Sequence, residues 1–145
     1  MFGIFPEDKS VDIEGECVLP ALIIIDEFSE MMNIPLSYWN INDYKDNWRC
    51  SLEEGLANKK HAALAVSMYE PANANFIFTW VLYFSGDVVF VQNSILFLDE
   101  CPGFTPENIN SFTEPRTTYN EDGMKISEWS ADLKSVISFY HSLKD

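Results

Sequence analysis

The sequence predicts an α+β fold: an antiparallel sheet of about four to five strands with two main helices packed against it. Three observations predict it. An apolar stripe recurs every four residues over 44–56, three β-branched and aromatic segments follow over 61–98, and a second helical stripe closes the chain over 129–143.

In chain order, Val11 and Ile13 alternate with charged neighbours before an apolar run that ends at Asp26-Glu27, so residues 11–25 read as one or two strands. Pro20 cannot donate to a ladder, which confines its segment to an edge or a bend. Tyr44, Trp48, Leu52 and Leu56 form one stripe, predicting an amphipathic helix over 43–58. Asn42 or Asp43 can accept from its first free amides, Asp43 and Asp46 sit at its positive end, and Lys59 and Lys60 follow its negative end.

"HAALAVSMY" (61–69), "FIFTWVLYF" (76–84) and "VVFVQNSILFL" (88–98) predict three antiparallel strands, the last two joined through Ser85-Gly86-Asp87 as a tight hairpin. Those two are apolar at nearly every position, so either both of their faces are covered or they are the central strands. Thr105 and Pro106 open a short helical turn, and Asp122-Gly123 marks a turn before a short strand at 124–128. A terminal helix follows, with Trp129, Leu133, Val136, Ile137, Tyr140 and Leu143 on its buried face, Ser130 placed to cap it and Asp132 in its first turn. No repeat or linker divides the chain, so residues 1–145 are expected to form one domain.

With 47% hydrophobic and 14% aromatic residues, the composition is that of a folded protein. Its net charge of −14 repels nucleic acid and anionic lipid and favours a cationic partner. Residues 1–30 carry −7, residues 31–94 carry −2 and residues 95–145 carry −5, so both ends are acidic. Solubility of an aromatic-rich small protein is the plainer explanation of such acidity. Cys17, Cys50 and Cys101 are odd in number with no C-x-x-C spacing, which matches neither a disulfide scaffold nor a zinc module. The amino terminus lacks the basic and apolar regions of a secretion signal, and no run reaches bilayer-spanning length. A cytoplasmic protein with reduced thiols and no membrane contact is expected.

Catalysis finds little to work with. His61 and His141 are the only imidazoles, one opening a predicted strand and the other near the end of a helix. Adjacent carboxylates occur at Glu7-Asp8, Asp26-Glu27, Glu53-Glu54, Asp99-Glu100 and Glu121-Asp122, but neighbours on a strand point to opposite faces and do not by themselves make a site. Calcium-loop, zincin, dinucleotide and Walker patterns do not occur. No catalytic residue, metal or cofactor is expected. Most of the acidic pairs lie at element ends or in loops, as a rim of negative charge around an aromatic body.

The series "PLSYW" (35–39), "DYKDNW" (43–48), "HAALAVSMYEP" (61–71), "ANFIFTWVLY" (74–83), "VFVQNSILFLDE" (89–100), "TPENI" (105–109) and "EDGMKISEW" (121–129) resembles the bacterial contact-dependent growth inhibition immunity proteins, over about residues 12–140. That resemblance implies a cytosolic, non-catalytic protein that binds the carboxyl-terminal toxin domain of a large delivered protein and blocks its active site. Many such toxins are nucleases with basic substrate grooves, which suits an acidic inhibitor acting as a monomer, one to one. Charge, rather than the resemblance, selects the candidate contacts: Asp26, Glu27, Asp99, Glu100, Glu121 and Asp122 at element ends, and Glu7, Asp8, Asp12 and Glu14 in the amino-terminal run. Tyr38 and Trp39 are candidate aromatic anchors, with packing beneath the first helix as their ordinary alternative. The competing function is a small acidic ligand-binding module or enzyme with a pocket on the aromatic sheet.

Overall fold

Four strands precede the first helix in the computed structural model, which describes residues 1–144: β1 (Phe2–Pro6), β2 (Val11–Ile13), β3 (Glu16–Ile25) and β4 (Phe28–Pro35). All pair antiparallel through β3, with β4 along one flank and β1 then β2 along the other. Pro20 therefore sits in a central strand rather than on an edge. Its carbonyl accepts from Glu7 N at 2.8 Å on the flank where β1 has ended and β2 has not begun. A strand residue directs its N–H and C=O to the same side, so the donor that proline lacks falls in this break and no ladder bond is lost.

Helix α1 (Ile41–Asn58) follows. Its cap is Asn40 rather than Asn42 or Asp43. Asn40 Oδ1 accepts from Asp43 N at 2.9 Å while Asp43 Oδ2 accepts from Asn40 N at 3.0 Å, a reciprocal capping box. Tyr44, Trp48 and Leu52 are fully buried, as the stripe predicts, each contributing on the order of 1.5–3 kcal/mol by burial. The next strand runs so close behind α1 that a Cβ on Gly55 would lie 2.5 Å from the carbonyl oxygen of His61. Only glycine fits there.

The second sheet has the order β5 (His61–Ala65), β6 (Phe76–Ser85), β7 (Val88–Phe97), β8 (Trp129–Asp132), all antiparallel. The β6–β7 hairpin turns at Gly86-Asp87, with Ser85 opposite Val88 and Gly86 at φ 62°. The predicted helical turn is a 3-10 helix, Pro106–Phe112, capped by Thr105. The strand expected at 124–128 lies instead at Trp129–Asp132, and the loop before it holds only an isolated bridge between Tyr119 and Lys125. Helix α2 (Leu133–Ser142) is accordingly shorter than the stripe predicts. Asp132 is its cap, Oδ1 accepting from Ser135 N at 2.7 Å, while Ser130 and Trp129 belong to β8. Val136, Phe139 and Tyr140 are its buried residues; Phe139, outside the predicted stripe, packs against Phe2 and Trp48 at ring distances of 5.6 and 6.3 Å.

The α+β class and two main helices are as predicted, but the strands form two sheets of four. An aromatic column joins the sheets: Phe28 of the first stacks on Trp129 of the second at 4.4 Å, and Trp129 meets Trp80 at 5.7 Å. Buried residues of both sheets and both helices belong to one apolar cluster.

Candidate functional site

Most of the acidic candidates lie far apart. Asp26 and Glu27 form the turn at one end of the ten-residue β3, and Glu14 the turn at the other, about 30 Å away by strand rise. Asp26 pairs loosely with the terminal amine of Met1 at 3.8 Å, and Asp12 Oδ1 accepts from Gly15 N at 2.9 Å, so these two carboxylates shape their own turns. Glu7 and Asp8 occupy the crossing from β1 to β2. Glu121 and Asp122 lie in the exposed loop before β8.

One end of the second sheet does gather several candidates. Residues facing one another across β6 and β7 share a face, and on one such face Leu82, Val89 and Val91 are fully buried. Further along the same face, Phe78 stands opposite Ile95 and Phe76 opposite Phe97, and these four are 46%, 44%, 42% and 49% exposed. These two are the central strands of their sheet, one of the two expected arrangements, but this face stays open here because neither α1 nor α2 packs against this end of the hairpin. The three rings touch one another, Phe76 lying 5.4 Å from Phe78 and 6.5 Å from Phe97. Asp99 and Glu100 follow at once in a single 3-10 turn, Leu98–Glu100, tied to the 73–75 turn by Leu98 N donating to Asn75 O at 3.0 Å. An open groove of about 410 Å³ runs from Phe76 past Glu70 to Tyr38, which is 47% exposed. Cys101 is buried beside this turn, and burial first, then Glu100 and Asp99, push its thiol up from the ordinary range.

A cleft of about 270 Å³ between α1 and the Pro106–Phe112 helix brings the candidate Trp39 together with acidic residues that sequence reasoning did not single out. Trp39, Asp43, Asp46, Cys50, Glu54 and Glu107 line it. The spacing 43, 46, 50, 54 marks one helix face and was available in the sequence, but Glu107 joins only through the fold. Trp39 is half-buried there, edge-on to Tyr44 at 5.1 Å, so it takes the packing role while its neighbour Tyr38 stays exposed. Asn110 forms the cleft floor: its Oδ1 accepts from Ala63 N at 2.8 Å and lies 3.0 Å from Ser51 Oγ.

His61 is committed to this scaffold. Its Nε2 lies 2.8 Å from Asn110 O, a pure acceptor, so Nε2 carries the proton and donates. Arg116 is likewise engaged, Nε and Nη2 meeting the Glu128 carboxylate at 2.8 and 2.6 Å, with its guanidinium 3.8 Å above the Phe90 ring. That pairing holds the Glu128 carboxyl below the usual carboxylate range. Among the described residues no three His, Cys, Asp or Glu side chains are grouped to hold a metal ion, and no helix is long and apolar enough to cross a membrane.

A family model described as the CdiI N-terminal domain matches residues 34–139. The chain belongs to the CdiI family of immunity proteins. It is 61% identical, over the full length of both chains, to "Immunity protein CdiI" of Enterobacter cloacae subsp. cloacae. Among solved structures it matches a chain of the "CdiA-CT/CdiI toxin and immunity complex from Enterobacter cloacae" with a TM-score of 0.96, 61% identity and 99% of each chain covered. These relatives are named as an immunity protein and as part of a toxin and immunity complex, not as enzymes.

Proposed function

We propose that this chain is an immunity protein that binds and neutralises the carboxyl-terminal toxin domain of a contact-dependent growth inhibition effector. The observation that carries it is the full-length likeness, in sequence and fold, to a CdiI protein from a toxin and immunity complex. The net charge of −14 supports a finer reading, in which the toxin is a nuclease and the inhibitor covers its basic active-site groove. A substrate groove that attracts phosphates attracts carboxylates by the same field. The chain acts as one domain, since one buried cluster spans both sheets, and it works in the cytoplasm as a monomer bound one to one, with no nucleic acid, membrane or cofactor.

The test is co-purification with the toxin domain encoded beside it, followed by a nuclease assay with and without the inhibitor. Binding that weakens as salt rises, together with stoichiometric loss of RNA or DNA cleavage, is expected. Absence of binding to that domain would overturn the proposal; binding to a toxin with no nuclease activity would overturn only the finer reading. The competing reading, a ligand-binding module or enzyme, keeps a pocket of about 370 Å³ on the aromatic sheet, lined by Thr79, Tyr83, Ser94 and Phe97, but His61 beside that sheet is engaged by a backbone carbonyl at 2.8 Å.

A further inference from the structure

The acidic residues are spread over the whole surface, so charge alone does not choose a docking face. The exposed apolar end of the β6–β7 hairpin does. Phe76, Phe78, Ile95 and Phe97 are each more than two-fifths exposed, whereas residues of the same kind on the same face, Leu82 and Val91, are sealed. At roughly half of a large side chain apiece, the four expose on the order of 350 Å² of apolar surface, within the range of the functional patches on monomers. The segment that carries this patch has one sign. From His61 to Pro115 there is no Lys or Arg, while Glu70, Asp87, Asp99, Glu100, Glu107 and Glu114 carry six negative charges. Three of those lie at this end of the hairpin: Asp99 and Glu100 in the turn that begins one residue after Phe97, with Glu100 also lining the pocket on the sheet's other face, and Glu70 in the groove with Phe76. An aromatic centre ringed by carboxylates has the anatomy of an interface whose partner is apolar at its middle and cationic at its edge.

We infer that the open end of the β6–β7 hairpin, centred on Phe78 and Phe97 and edged by Asp99, Glu100 and Glu70, is the surface on which the cationic toxin domain docks. This rests on the immunity reading above. A standard interface covers about 800 Å² on each partner, more than the apolar patch alone, so the carboxylate edge must lie within the footprint. Tyr38, on the far wall of the groove, extends the contact on that side. A second copy of this chain is the poorer occupant, since docking like on like would bring two −14 molecules and two carboxylate edges together.

Binding of the full-length chain to the cognate toxin domain, followed by surface plasmon resonance at two salt concentrations, tests the assignment. The Phe78→Ser, Phe97→Ser double variant is expected to bind at least about 30-fold more weakly, mainly through faster dissociation. Asp99→Lys with Glu100→Lys is expected to slow association about tenfold at low salt, the difference fading as salt rises. The control, Asp26→Lys with Glu27→Lys at the remote turn of the first sheet, is expected to leave the dissociation rate unchanged. Thermal melts verify that each variant is folded. Folded Phe78 and Phe97 variants that bind like the wild-type chain would overturn the assignment while leaving the immunity reading intact. So would a wild-type dimer abolished by Phe78→Ser with toxin binding preserved. A wild-type chain that does not bind the toxin would overturn the immunity reading itself.

Discussion

The two ends of the β6–β7 hairpin differ in fate though not in composition. At the turn end Leu82, Val89 and Val91 lie at zero exposure beneath the helices; at the other end Phe76, Phe78, Ile95 and Phe97 stand open on the same face of the same strands. What separates them is cover. Helix α1 packs against β5 and α2 crosses β1 and β8, and neither reaches the open end. A continuous apolar strand is therefore the product of two different demands, folding at one end and contact with a partner at the other.

The largest test of that division is removal of the covering helix's main anchor. Trp48 is fully buried, with Nε1 donating to Ala65 O at 2.7 Å, and Trp48→Ala is expected to cost about 3–5 kcal/mol in chemical denaturation. Next comes the direct comparison along one strand: Leu82→Ala is expected to lose about 2–5 kcal/mol, and Phe78→Ala, whose ring is half exposed already, about 1–1.5 kcal/mol. Equal losses at both positions would show that the open end is folded core. Smaller still is the cleft floor, where Asn110→Ala leaves the Ala63 amide without its acceptor and is expected to cost about 1–3 kcal/mol. The smallest effect is at the rim. The Glu128 carboxyl titrates lower folded than unfolded, chiefly through its hydrogen bond from Arg116, so its contribution is present above the unfolded value of about 4.3 and is lost as pH falls through the folded one. The stability difference between wild type and Glu128→Gln, at most about 1 kcal/mol at pH 7 for so exposed an arginine, should shrink as the pH is lowered below the unfolded value.

Helix α1 and strands β5 to β7 were legible because their side chains repeat at periods that only one backbone conformation satisfies. The first sheet was less so. β4 reads "FSEMMNIP", with Ser29, Glu30 and Asn33 where a strand usually carries β-branched residues, and it is a strand because β3 pairs with it from Val18 to Ile25. β1 is five residues with a glycine at its second position. Without those two, a separate first sheet could not be anticipated, and Trp129, spaced as if it began a helix, belongs instead to β8. Tyr38 was legible as a candidate, but that it lines one groove with Phe76 depends on a loop and a strand 38 residues apart in sequence. The absence of bases from 61–115 is readable in the sequence itself.

Pro20 leaves the arm of residues 1–13 fastened to β3 in two separate pieces. β1 is locked by Phe2 and Ile4, whereas all three residues of β2 face water. The outer piece can therefore peel away and re-seat without disturbing the inner one, and in a deuterium-labelling time course the amides of Val11–Ile13 would take up label well before those of β1.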